Sequence, residues 1–133
     1  MKSIWGNLFY SGPDVEILRA PEISKNYESN VSGIHIIGDL SGVPLLKNAV
    51  NMGQDLIEKI GPALKSEKPA DDEYHLLIVG AGGAGLAAAL AAKDMRLKYL
   101  VIEQKIPGNT IDSFFKGKEI FAEPEALPNK SRL

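Results

Sequence analysis

HLLIVGAGGAGLAAALAAKDMRLKYLVIE, residues 75–103, is the stretch whose reading decides the fold. It reads as strand, glycine turn, helix, strand. Residues 75–79 form a short apolar run rich in branched side chains, the composition of a strand buried on both faces. Gly80, Gly82 and Gly85 follow at GxGxxG spacing, with Gly83 and Ala84 between them. Gly80 permits a tight turn, Gly82 lets main chain approach a diphosphate, and Gly85 lets the helix lie close on the strand. Residues 84–95 are alanine-rich and strongly helix-forming. Residues 99–103 form a second apolar run ending in Glu103, an acid placed for ribose hydroxyls, with Gln104 next to it. The anion needs no side-chain partner here. Free N–H groups and the positive end of the helix dipole hold it.

GxGxxG alone is weak evidence, but four features coincide: a strand before, a helix after, a second strand, and an acid about twenty residues on. The expected fold class is α/β, a Rossmann-like βαβ with parallel strands forming part of a dinucleotide-binding domain. Two competing readings stand beside it. One is a plain buried βαβ unit that binds nothing. The other is a membrane helix, since residues 76–92 carry no charge. That stretch is barely long enough to span, and its centre is Gly and Ala rather than Leu and Phe.

The 133 residues make one modest domain at most, and 44% hydrophobic content is enough for a packed core. A net charge of -2, with no basic stripe or aromatic ladder, argues against an electrostatic nucleic-acid binder. Cysteine is absent, which removes disulfides, thiolate zinc sites and a redox-active CxxC pair from this chain. No cationic, apolar leader is recognisable at the start, so cytoplasmic residence is the expectation.

Upstream, Trp5, Phe9 and Tyr10 precede the Gly12-Pro13 turn signal, and residues 14–18 alternate as a short edge strand would. Residues 21–30 read as loop. A second signal lies in residues 30–60, NVSGIHIIGDLSGVPLLKNAVNMGQDLIEKI. Residues 34–37 are read as a short strand, ended by Gly38-Asp39. A helix is expected next, with Ser41 as N-cap, Pro44 in its first turn and Gly61-Pro62 as its stop. Leu45, Leu46, Ala49, Val50, Leu56, Ile57 and Ile60 give it one apolar face. Asp39 thus stands at a strand end just before a helix start, suited to ligand hydroxyls; its bland reading is a turn or capping acid. His35 and His75 read as packing or surface histidines, because no partner is spaced to hold a metal. Residues 65–73, KSEKPADDE, read as a solvated linker. Beyond the turn at residues 107–109, residues 110–115 form a short helix or ordered loop. Residues 120–128 read as extended, because proline recurs.

The two signals together resemble the FAD-dependent pyridine nucleotide oxidoreductases of the thioredoxin-reductase-like group. The VGAGGAG turn with Glu103 resembles that family's opening motif, which implies that Gly80, Gly82, Gly85 and Glu103 bind the ADP half of FAD. The GIHIIGDLSG stretch resembles its closing motif, which implies that Asp39, with Gly38 and Leu40 alongside, contacts the ribityl chain. The helix after it would then point at the flavin ring. Residues 48–53 and 104–110 also resemble family segments, the latter its loop near the flavin. The resemblance covers residues 29–60 and 75–110. It divides the chain into a closing-motif segment (1–62), a linker (63–73) and an incomplete opening-motif segment (74–133). Three departures stand out. The order of the motifs is inverted, as at a junction of two fused flavoprotein units. The nicotinamide-binding domain and the middle of the FAD domain are missing, so sheet edges await other domains or another chain. Arg96 stands where the family usually has glycine.

The leading expectation is therefore an FAD-binding segment of a flavoprotein that passes hydride between nicotinamide and flavin. No residue reads as a proton donor, and no cysteine can relay electrons. The alternatives are an NAD-binding module without chemistry, in which Glu103 suits an unphosphorylated ribose, and a truncated fragment that binds no cofactor.

Overall fold

A computed structural model describes residues 21–133. The aromatic cluster at Trp5, Phe9 and Tyr10 and the edge strand read at 14–18 lie outside the described residues. Strand β1 (Leu76–Val79) and strand β2 (Tyr99–Ile102) pair in parallel, Leu76 opposite Tyr99 and Val79 opposite Ile102. The connection is a helix, Gly83–Asp94. The α/β, Rossmann-like βαβ is thus present as a two-stranded piece.

Before it in the chain comes α1 (Leu46–Ser66), so the Gly83–Asp94 helix is α2. The two helices pack on each other and on one face of the sheet. The core is Ile57 from α1, Ile78 from β1, Ala88, Ala89, Ala91 and Ala92 from α2, and Leu97 after it. Leu76, Tyr99 and Val101 point the same way and pack against that core. The crossing is close because both helices present small residues. A Cβ built on Gly53 would lie 2.2 Å from the Ala84 carbonyl oxygen and 3.0 Å from the Ala87 methyl.

Among the described residues, no element covers the opposite sheet face. Leu77, Val79, Leu100 and Ile102 are 55%, 77%, 39% and 47% exposed, alternating with the inward set at strand period. The expectation of strands buried on both faces is therefore corrected. Their composition is that of a strand covered twice, but the described residues supply one helical layer.

Four further expectations are corrected, three of them at α1. Residues 34–37 form no ladder strand; His35 makes an isolated antiparallel bridge to Glu28, and Ile23 makes another to Ser29. The chain then enters a 3-10 turn, Gly38–Ser41. Ser41 is not the N-cap of α1. Its hydroxyl donates to the Gly38 carbonyl at 2.6 Å, and Leu45 occupies the cap position with Pro44 just outside the helix. Nor does Gly61-Pro62 end the helix, which runs to Ser66 and takes up the first residues of the expected linker. Proline removes one backbone bond. That loss is offset by Ile60 and Leu64, which pack on the core, and by Gly61, where a Cβ would meet Met95 Sδ at 2.3 Å.

The C-terminal end of α2 is closed by Arg96 in the left-handed region, φ 59°. Arg96 N–H donates to the Lys93 carbonyl at 2.9 Å and Leu97 N–H to the Ala92 carbonyl at 3.0 Å, a Schellman arrangement with Leu97 and Ala92 both in the core. The left-handed residue expected of glycine here is thus an arginine. Replacing Arg96 with glycine should stabilise the chain by about 1 kcal/mol, read as a higher urea midpoint at unchanged slope.

The last residues lie along α1. Asn48 exchanges hydrogen bonds with the backbone of Glu123, its Nδ2 donating at 2.6 Å and its Oδ1 accepting at 3.0 Å. Buried Asn51 does the same between the Pro128 carbonyl (2.8 Å) and the Lys130 N–H (3.0 Å). Lys130 pairs with Asp55 and Arg132 with Asp94, each at 2.7 Å. Spaced three residues apart on one helix face, the two asparagines satisfy main chain that no strand pairs. The extended character read at 120–128 is interrupted by a turn in which Leu127 N–H donates to the Pro124 carbonyl.

Candidate functional site

The site begins at the turn from β1 into α2. Gly80 has φ 95°, which only glycine adopts without strain, and its N–H still donates to the Ile102 carbonyl of the neighbouring strand at 2.8 Å. Gly85 lies against that turn: a Cβ there would be 2.0 Å from the Gly80 carbonyl oxygen. Gly82 differs from both. Its φ is -76°, and a Cβ would meet nothing within 4 Å. The first bond into the helix is Leu86 N–H to the Gly82 carbonyl, and α2 has no side-chain cap. Among the described residues, the N–H groups of Gly82, Gly83, Ala84 and Gly85 therefore have no acceptor. They sit at the positive end of a three-turn helix.

Glu103 closes the other side of the turn. Its Oε2 accepts from the Ala81 N–H at 2.7 Å and its Oε1 from the Lys105 N–H at 2.9 Å. These two amides hold the carboxyl below its usual range, the Ala81 bond contributing most. Each oxygen retains a lone pair for a hydroxyl donor. The loop beyond is hooked back on the same residue, because Gly108 N–H donates to the Ala81 carbonyl at 2.8 Å. That bond places the short helix α3 (Asn109–Asp112) beside the turn.

The Gly38–Ser41 turn arrives from the opposite side. Gly38 is buried with φ 78°, and a Cβ on it would lie 3.2 Å from the Ala84 methyl. The two motifs, forty residues apart in the chain, are thus in contact at the start of α2. Asp39 is exposed, and its carboxylate makes no hydrogen bond among the described residues.

Two recesses meet at this turn, and Val79 and Gly80 line both. The smaller, about 480 Å³, is completed by Ile102, Glu103 and Gln104. The larger, about 840 Å³, holds Asp39, Gly82, Ala84, Thr110 and Phe114 over a floor from α1 that includes Leu56 and Ile57. This volume is in the range of small-molecule clefts. Each recess has one carboxylate, and the residues of the free amides line the larger one.

Residues 77–128 match the model of the family described as pyridine nucleotide-disulphide oxidoreductase. Over this stretch, less than half of its length, the chain is similar to that family. A thioredoxin reductase of Ureaplasma parvum is 50% identical over 38 residues, 29% of this chain and 12% of that protein. An NADH:fumarate oxidoreductase of Klebsiella pneumoniae is 42% identical over 59 residues, 40% of this chain and 6% of that protein. The chain thus aligns with a small part of either relative. No solved structure matches significantly.

The matched stretch begins inside β1 and takes in the glycine turn, Glu103, Gln104 and the loop to α3. Gly38 and Asp39 lie outside it and are joined to it by packing alone. The structure brings every residue singled out in the sequence to the rim of one recess or the other, except that Gly83 also packs on Leu46 and Val50 of α1. His75 is structural: Nδ1 accepts from the Lys98 N–H at 2.9 Å and Nε2 faces the Glu67 carbonyl at 3.2 Å, which fits the tautomer protonated at Nε2. His35 lines the larger recess, with Nδ1 buried and unpartnered among the described residues. Sequence reasoning passed over Phe114. Its only local signal was an aromatic pair, Phe114-Phe115, following a turn. No helix among the described residues is long and apolar enough to cross a membrane.

Glu103 gives this turn a pH dependence of known sign. A carboxylate depressed in the folded chain contributes stability above its ordinary range, near 4.3, and loses it as pH falls through the depressed value. Glu103→Gln should therefore melt lower than the parent at pH 7, and the difference should shrink as the solution is acidified through that window. Parallel melting curves from pH 7 to 3 check it.

Proposed function

We propose that this chain binds FAD, the diphosphate on the amides of Gly82, Gly83, Ala84 and Gly85 and one nucleoside end in each recess. The single observation that carries this reading is that the four residues with unpartnered N–H groups line the larger recess, which meets the smaller one at Val79 and Gly80, each recess holding one carboxylate. Gly80 and Gly85 shape the turn, and the empty space above Gly82 is a cradle that a Cβ would fill. In the smaller recess Glu103 accepts hydroxyl protons of the adenosine ribose, with Gln104 alongside. In the larger recess Asp39, set by buried Gly38, accepts those of the ribityl chain, and the start of α1 directs its dipole to the ring. Bound flavin supplies exchange of hydride with a nicotinamide. The chain's own part is to hold and orient it and to exclude water along the α1 floor. We place the division of labour at residues 1–62 and 74–133, joined through 63–73. Inverted chain order does not separate these motifs, because Gly38 and Gly53 both pack on Ala84. The activity belongs to the oxidoreductase class of the relatives, with further domains or another chain covering the opposite sheet face and supplying the nicotinamide site. Cytoplasmic residence is part of the same reading.

The purified chain should carry yellow flavin released by heat, and added FAD should raise its melting temperature. Stabilisation by NAD and not by FAD would replace this reading with an NAD-binding module. No shift with either would overturn it in favour of a fragment that binds no cofactor.

A further inference from the structure

The larger recess has a planar wall that no sequence motif marks. Phe114 lines it together with Thr110 and Ile111, while the Lys118 ammonium lies 4.2 Å from the Phe114 ring centroid. A cation attracted to one face of an aromatic ring helps to hold the ring in place and leaves its other face for a stacked ring. The ring is also held in register with the glycine turn. Gly108 N–H is bonded to the Ala81 carbonyl, Ile111 and Asp112 N–H groups both reach back to the Gly108 carbonyl, and Phe114 N–H donates to Ile111. Phe114 is thus fixed, through one short helix, to the residue whose own N–H meets Glu103. A stacking wall tied to the diphosphate turn lies at a set distance from it, as ring recognition in a dinucleotide requires.

Resting on the dinucleotide reading above, we infer that Phe114, backed by Lys118, is the platform on which the ring in the larger recess stacks, and that this ring is the flavin rather than the adenine. The assignment follows from size and hydroxyl chemistry. The larger ring system takes the 840 Å³ recess, and Glu103, already oriented by two amides, keeps the ribose in the smaller one. Phe114 is a positioning and specificity residue. It transfers no proton.

The test is a titration of the full chain with FAD and, separately, with ADP. Phe114→Ala should weaken FAD about 10- to 100-fold and leave ADP within about twofold. Phe114→Trp should restore FAD affinity and quench the flavin fluorescence, which a merely structural role for the side chain would not do. Lys118→Met should weaken FAD by a smaller factor. Equal FAD affinity in Phe114→Ala and the parent overturns the platform. Equal loss for FAD and ADP, or unquenched flavin in Phe114→Trp, overturns the placement of the ring. A parent chain that binds neither nucleotide overturns the dinucleotide reading itself, and this one with it.

Discussion

Gly82→Leu should lower dinucleotide affinity by at least about 100-fold while leaving the melting temperature of the free chain within a few degrees. The two halves of that result have separate causes. Gly82 has φ -76° and an added Cβ would meet no protein atom within 4 Å, so a side chain there costs the fold little. In the proposed binding mode the same open space is where the diphosphate approaches the amides of Gly83, Ala84 and Gly85, and four added carbons would stand in it. A hundredfold loss corresponds to about 2.7 kcal/mol, the scale of losing several charge-assisted hydrogen bonds together. Calorimetric titration with FAD, beside thermal melts without it, separates the two. Unchanged affinity in a folded Gly82→Leu chain would mean that the anion does not lie on this turn.

Gly53→Ala should act in the opposite way, on the fold first. The added Cβ would sit 2.2 Å from the Ala84 carbonyl oxygen and 2.9 Å from the Ala88 nitrogen, both backbone atoms that no rotamer change can move aside. Helices α1 and α2 must separate, which uncovers the alanine face that fills the core. We expect a loss of about 2–3 kcal/mol despite the better helix propensity of alanine, which returns less than about 1 kcal/mol. For a chain of this size that lowers the melting temperature by roughly 10 °C. Because Ala84 also touches Gly38, the same change should loosen the larger recess. Differential scanning calorimetry measures the first effect. A melting temperature equal to the parent's would show that the helices do not cross at Gly53.

How much of the site was legible in the sequence differs from residue to residue. The turn formed by Gly80, Gly82 and Gly85, and the place of Glu103 beside it, were legible because such geometry depends on φ, on the absence of a Cβ and on a fixed count of residues between neighbouring strands. Asp39 was legible only as an acid after an apolar run. Its place opposite the glycine turn depends on a buried Gly38 against a methyl from another helix. Phe114 was not legible, because an aromatic after a turn packs in many ways and only the Gly108–Ala81 bond selects this one.

The sequence by itself determined the βαβ unit and the parallel pairing of its strands. These are local matters of periodicity, helix propensity and backbone freedom within about thirty residues. Only the tertiary structure decided that α1 runs past Pro62, that residues 34–37 form bridges rather than a strand, that no element among the described residues covers one sheet face, and that two motifs in inverted order share one cleft. Each of those depends on which surfaces meet. The small-residue seam of Gly53 against Ala84, Ala87 and Ala88 joins residues more than thirty apart, and no local pattern records the partner it chooses.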